Sequence, residues 1–156
     1  MFFLRSDERT MKYIDKSSLQ SEQEAIALIE RLQELERTNE GINWAITLKE
    51  EDKLLGTVGL FNFSNQHYRC EIGYMLHPDY QRKGIVQEAL DAILDHAFNV
   101  FKVHSIEANV NPENAASKKL LERNGFVKEA YFKENYYFNG KFLDSVIYSL
   151  LCHGRK

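Results

Sequence analysis

The chain has little proline, little cysteine and no long run of apolar residues. Only 2 of its 156 residues are Pro and 2 are Cys. Two cysteines at no metal-like spacing, with no secretory leader before them, favour a reduced compartment over a disulfide scaffold, so we expect a cytoplasmic location. The apolar runs are far shorter than the roughly 18 residues that a membrane helix needs, so we expect no membrane span.

Neither sign of charge is in large excess. The chain has 20 Lys and Arg against 23 Asp and Glu, a formal net charge of −3. Nucleic-acid-binding proteins usually carry a basic excess, so we expect no nucleic-acid partner. The five histidines form no ligand spacing with one another or with Cys or carboxylates, and no metal is expected. The length and the 44% apolar content are typical of one globular domain, residues 1–156.

Hydrophobic periodicity divides the chain into helices and strands. Helical spacing recurs over Leu19–Arg37, capped by Ser17 and Ser18, then over Gly84–Phe101, and again from Asn114 to Asn124-Gly125. Runs rich in β-branched and aromatic residues predict strands at Ile42–Lys49, Lys53–Ser64, Tyr68–His77, Val103–Val110, Phe126–Phe138 and Lys141–Leu151, with a tight turn at Asn139-Gly140. This order predicts an α/β fold with a mixed sheet, antiparallel at both ends, parallel only across the central crossover, and flanked by helices.

The segment after His77 runs from a strand through a short polar loop into a helix. The first N–H groups of a helix have no internal partners and carry partial positive charge, and Gly84 lets a ligand approach them closely. Such a junction suits an anion such as a pyrophosphate, with Arg82 and Lys83 adding charge. The alternative interpretation is a solvated turn that ends the strand.

Five short motifs occur in a characteristic order. They are Glu71-Ile72-Gly73-Tyr74, Leu76-His77-Pro78, Gln81-Arg82-Lys83-Gly84, Asn111-Pro112-Glu113-Asn114-Ala115-Ala116-Ser117 and Arg123-Asn124-Gly125-Phe126. Together they resemble the GNAT superfamily of acetyl-CoA-dependent N-acetyltransferases, and within it the RimJ/RimL branch that includes ribosomal-protein N-terminal acetyltransferases. The resemblance implies a GNAT-like fold, acetyl-CoA as co-substrate, and direct transfer of acetyl to a primary amine in a ternary complex. The amine would be a protein N-terminus or a small molecule.

The resemblance also implies binding roles. The cofactor pyrophosphate would be held by the backbone amides of Gln81, Arg82, Lys83, Gly84, Ile85 and Val86. The pantetheine arm would pair with the backbone of Met75, Leu76 and His77, in a gap where this strand and Val103–Val110 separate. Asn111 and Asn114 would hydrogen-bond the pantetheine amides, although Asn114 is equally well explained as a helix cap. Val86 stands where the family usually has Gly or Ala, so it would either crowd the phosphates or pack against the sheet.

Amide formation from a thioester needs a base for the amine proton and a donor for the leaving sulfur. Glu71 is the candidate base, because it lies on the strand that would flank the thioester; the alternative is an ion pair with Arg69 on the same face. Ser117 is the candidate donor, at the place where the resemblance implies a serine; the alternative is a serine that satisfies its own helix end. Cys70 is more typical of a small buried residue than of a nucleophile.

The resemblance is incomplete at the start of the chain. The family usually opens with a strand and a helix before the segment that Ser6–Ile14 resembles, and Phe2-Phe3-Leu4 cannot supply both. We therefore expect the first strand to be missing or truncated, and a second copy in a homodimer is one way to cover the exposed edge. This short start and Val86 also motivate an alternative function, a non-catalytic acyl-CoA-binding or regulatory module.

Overall fold

One six-stranded sheet organises the chain, which we describe over residues 1–154 from a computed structural model. Its strands are β1 (Gly41–Ile46), β2 (Gly56–Ser64), β3 (Arg69–Leu76), β4 (Ser105–Val110), β5 (Val127–Phe138) and β6 (Lys141–Leu151). They lie in the order β1-β2-β3-β4-β6-β5, and β3 and β4 are the parallel pair among antiparallel neighbours. The predicted α/β fold with a mixed sheet, parallel only at the central crossover, is confirmed.

Five α-helices surround the sheet within the described residues. They are α1 (Phe2–Ser6), α2 (Glu8–Met11), α3 (Glu22–Arg37), α4 (Ile85–Asn99) and α5 (Ala115–Arg123), with short 3₁₀ turns at Pro78–Tyr80 and Cys152–Gly154. Helices α1 and α2 were not predicted, because elements this short show no periodicity. The described chain contains no strand before β1, so β1 is an edge strand as expected. Self-association at such an edge stays a prediction.

Several predicted boundaries move, and α3 moves for a clear reason. It begins at Glu22 instead of Leu19, and Ser21 is its cap, not Ser17 or Ser18. The Ser21 side chain accepts a hydrogen bond from the Glu24 N–H at 3.2 Å, while the Glu24 carboxylate accepts from the Gln20 N–H at 2.9 Å. The first bond satisfies an N–H that the first helical turn leaves free, and the second holds the residue before the cap against the helix.

The two faces of the sheet are covered by different helices. Helices α4 and α5 pack Leu90, Leu94 and Leu121 into the main hydrophobic cluster with Ile72 and Leu76 of β3. Because side chains alternate along a strand, Met75 and His77 point to the opposite face, where the Phe3 ring of α1 stacks on His77 with centroids 4.8 Å apart. In the described residues we find no helix with the length and hydropathy of a membrane span.

Candidate active site

Strands β3 and β4 pair over only a short stretch and then separate. Their register joins Arg69 to Ser105, Cys70 to Ile106 and Glu71 to Glu107. Beyond this point β3 continues to Leu76 and β4 continues to Val110 without further pairing between them. Separated strands leave backbone donors and acceptors free for an extended ligand. This fork lies where the resemblance implies a gap for pantetheine.

Glu71 is the last residue of β3 that pairs with β4 before the two strands separate, and it is half-buried. The alternative interpretation of Glu71, an ion pair with Arg69, is not what the structure shows: the Arg69 guanidinium binds the Glu107 carboxylate on β4, with Nη2 and Oε2 2.6 Å apart. No hydrogen bond or ion pair from residues 1–154 reaches the Glu71 carboxylate. Across on β2, Phe61 is its register partner. The fork therefore presents a partly desolvated carboxylate that no described side chain neutralises.

The N-terminus of α4 forms an open anion cradle at the end of β3. Gly84 has a φ of 80° and precedes the helix without a side-chain cap, whereas Ser21 caps α3 and Asn114 caps α5. A Cβ added to Gly84 would meet no atom within 4 Å. The glycine is thus required by its left-handed backbone and not by crowding, and the space before the free N–H groups is open. These features fit a pyrophosphate group.

Three cationic side chains lie around this cradle. Arg82 and Lys83 are exposed in the loop before α4, and the Lys83 ammonium lies 5.2 Å from the centre of the Tyr80 ring. Lys53, from the connection between β1 and β2, donates to the Tyr80 hydroxyl at 3.1 Å. Sequence reasoning missed Lys53, because only the packing of the segment before β2 against the Pro78–Tyr80 turn brings it here. Positive charge at this place favours an anionic ligand.

Part of the backbone predicted to pair with pantetheine is already engaged. The His77 N–H donates to the Leu55 carbonyl at 2.8 Å, and the Gln81 side-chain amide donates to the Leu76 carbonyl at 3.1 Å. The His77 side chain is buried and lies at the start of the Pro78–Tyr80 turn. Met75 is buried beside them. The hydrogen bonds of His77 and Gln81 therefore stabilise the end of β3.

Side chains around the start of α5 bind backbone N–H groups there and contact β3. Asn111 Oδ1 accepts from the Glu113 N–H at 2.9 Å, and Asn114 Oδ1 accepts from the Ser117 N–H at 3.0 Å. Asn114 thus has the helix-capping role that was one of its two interpretations. The Ser117 hydroxyl lies 2.7 Å from the Tyr74 hydroxyl of β3. The Asn114 cap thus holds the Ser117 N–H, while the Ser117 hydroxyl contacts β3 beside the fork.

Burial distinguishes between the alternatives for Val86 and Cys70. Val86 is partly buried and packs against the main hydrophobic cluster, so its side chain lies against the sheet, as one of the two alternatives proposed. Cys70 is 1% exposed. Burial raises the pKa of the Cys70 thiol to about 12. A thiol that stays protonated at neutral pH is a poor nucleophile, so Cys70 is a core residue.

The fold, the fork and the cradle together define an acyltransferase that uses a coenzyme A thioester. The chain belongs to the acetyltransferase (GNAT) domain family, which matches residues 1–127, and it is an N-acetyltransferase of this class. A curated relative, the uncharacterized N-acetyltransferase YoaA of Bacillus subtilis, is 30% identical over 151 residues, covering 97% of this chain and 85% of that protein.

Solved structures extend the comparison to the whole fold. The ribosomal-protein-S5-alanine acetyltransferase of Vibrio fischeri matches with a TM-score of 0.86 and 29% identity, over 99% of this chain and 86% of that one. The spermidine N-acetyltransferase of Vibrio cholerae, in complex with CoA and spermine, matches in fold with a TM-score of 0.85 and 24% identity, over 98% and 88% of the two chains. The resemblance to the RimJ/RimL branch is confirmed.

Proposed function

We propose that the protein transfers the acetyl group of acetyl-CoA directly to a primary amine while both substrates are bound. The observation that carries this proposal is the fork between β3 and β4, which opens beside the Glu71 carboxylate, a group that no residue from 1 to 154 bonds. The uncapped N-terminus of α4 follows directly after β3 and suits the pyrophosphate. A thioester in the fork would then lie between Glu71 on one face of β3 and Ser117 on the other.

Two residues of the chain would assist the reaction, one at the amine and one at the sulfur. Bound acetyl-CoA would supply the thioester, whose C–S bond breaks after the amine nitrogen has bonded to the acetyl carbon. Glu71 accepts the proton that the nitrogen loses, directly or through water. Ser117 donates a hydrogen bond to the sulfur, which leaves with the electron pair of the broken bond. The products are an N-acetyl amide and coenzyme A, which leaves as the thiolate and takes up a proton from water, with no acyl-cysteine intermediate.

The acceptor is a peptide N-terminus or a small-molecule amine. Both kinds of acceptor occur in the names of the matched structures, ribosomal-protein alanine in one and spermidine in the other. A terminal α-amine has a pKa of about 8, so a carboxylate in the fork is an adequate base for it. A lysine or polyamine nitrogen holds its proton more strongly and demands more of the base.

A panel of amines tests the proposed function. The protein is incubated with acetyl-CoA and with an alanine-starting peptide, spermidine or free amino acids, and acetylated products and free thiol are measured. We expect one class of amine to be acetylated with equal release of thiol. Binding of acetyl-CoA in calorimetry without any thiol release would instead support the non-catalytic acyl-CoA-binding module.

Glu71→Gln tests the base. We expect turnover to fall by about 100-fold or more, as is typical when a general base is removed. The loss should be largest below the pKa of the amine, because most of the amine is then protonated and depends on the base.

Glu36→Gln is the control, since it makes the same change at an exposed carboxylate of α3, away from the fork, and leaves the Arg69–Glu107 ion pair intact. We expect it to retain most of its turnover at every pH. Equal turnover in Glu71→Gln and the unchanged protein across the pH range would refute the role of Glu71.

A further inference from the structure

A pair of hydroxyl groups joins β3 to α5 across the open part of the fork. The Tyr74 and Ser117 hydroxyl oxygens are 2.7 Å apart. Tyr74 lies on β3 beyond Glu71, the last residue that pairs with β4. The Ser117 N–H is bonded by the Asn114 side chain, so the Ser117 hydroxyl is not needed to cap the helix. This hydroxyl is therefore available for chemistry, and Tyr74 is its observed partner.

We propose that Tyr74 is a positioning residue, which donates to the Ser117 oxygen and so directs the Ser117 hydrogen toward the leaving sulfur. The inference rests on the proposed function. A hydroxyl has one hydrogen and two lone pairs, so an oxygen that accepts from Tyr74 keeps its own hydrogen for another acceptor. A phenol is a stronger hydrogen-bond donor than an aliphatic hydroxyl, which favours this direction over the reverse.

Partial burial keeps the Tyr74 phenol protonated, as this role requires. It packs against the main hydrophobic cluster, and desolvation raises the pKa of its phenol to about 12. The phenol therefore retains its proton at any working pH and acts as a fixed donor. It does not serve as a source of protons.

Hydrogen bonds also join the two helices near the pair. Gln87 near the start of α4 and Asn124 at the end of α5 exchange two amide hydrogen bonds, of 2.8 and 3.1 Å. These bonds hold the cradle helix and the Ser117 helix together. Fixing a donor before reaction avoids an entropy cost during the reaction, so the gain from Tyr74 should appear in turnover and not in substrate affinity.

The test is a double-mutant cycle with Tyr74→Phe, Ser117→Ala and the combined variant, measuring kcat and the KM for acetyl-CoA. Tyr148→Phe is the control, because Tyr148 is a buried tyrosine, at 2% exposed, whose hydroxyl donates to Glu122 at 2.9 Å outside the site. Thermal unfolding of each variant separates loss of folded protein from loss of catalysis.

We expect Tyr74→Phe to lower kcat about 3- to 10-fold, the range for one neutral hydrogen bond, with KM for acetyl-CoA changed less than about twofold. The combined variant should be no slower than Ser117→Ala, because Tyr74 acts only through Ser117. Tyr148→Phe should keep its kcat. Additive losses in the combined variant, or a rise in KM at unchanged kcat, would overturn the inference.

The same experiment separates this inference from the proposed function. A slow Ser117→Ala with a fully active Tyr74→Phe would overturn the positioning role alone. A fully active Ser117→Ala would overturn both the role of Ser117 and that of Tyr74. An unchanged protein that releases no thiol with any amine would overturn the proposed function itself and this inference with it.

Discussion

Replacing Gly84 with Asp places a negative charge in the open anion cradle. The backbone there has a φ of 80°, a conformation that Asn and Asp adopt more readily than other side chains. No atom lies within 4 Å of the position that a Cβ would take. The substitution strains the left-handed backbone but causes no clash, so the variant should fold with somewhat lower stability. Its carboxylate would compete with a phosphate for the free N–H groups of α4.

The expected loss of affinity follows from electrostatics. In a partly exposed site with an effective dielectric constant of about 40, two unit charges about 5 Å apart repel by about 1.7 kcal/mol. A pyrophosphate carries more than one charge, so we expect a penalty of about 2–3 kcal/mol, or about 30- to 150-fold weaker binding of acetyl-CoA. Added salt should reduce this penalty, because the cradle faces solvent.

Calorimetric titration with acetyl-CoA measures this effect against two controls. Gly84→Asn has nearly the same shape without the charge, so the difference between the Asn and Asp variants isolates the electrostatic part. Gly140→Asp makes the same charge change at another left-handed glycine, with a φ of 77°, in the β5–β6 turn, and it should bind normally. Affinity of the unchanged protein in Gly84→Asp would refute the assignment of the cradle.

Two further substitutions test packing and reactivity. Gly56→Ala should lower the free energy of unfolding by about 1–3 kcal/mol in urea titration, because overpacking is costly and the new Cβ would lie 2.2 Å from the Met75 carbonyl oxygen. Gly73→Ala is its control, since its Cβ would make an ordinary 3.6 Å contact with Phe61; equal losses in both would contradict the packing argument. Cys70 should resist iodoacetamide at pH 8 while the exposed Cys152 reacts, and Cys70→Ala should still turn over. Rapid labelling of Cys70 in the folded protein, or an inactive Cys70→Ala, would contradict its role as a core residue.

Features with a local signal could be read from the sequence. Asn139 and Gly140 have φ values of 47° and 77°, which a tight hairpin turn requires, and Asn114 caps α5. The Ser21 cap was also readable, because Ser21-Glu22-Gln23-Glu24 is a capping-box pattern. The helices α1 and α2 left no such signal, since four or five residues are too few for a periodicity.

The sequence by itself determined the class of protein and the order of its six strands and three longer helices. A strand, a polar loop and Gly84 at a helix start already specify where free backbone donors occur, because these are properties of neighbouring residues. The tertiary structure decided which side chains meet. Arg69 binds Glu107, 38 residues away, and Tyr74 binds Ser117, 43 residues away. These pairs depend on how β3, β4 and α5 pack, and long-range packing leaves no spacing in the sequence from which a partner could be read.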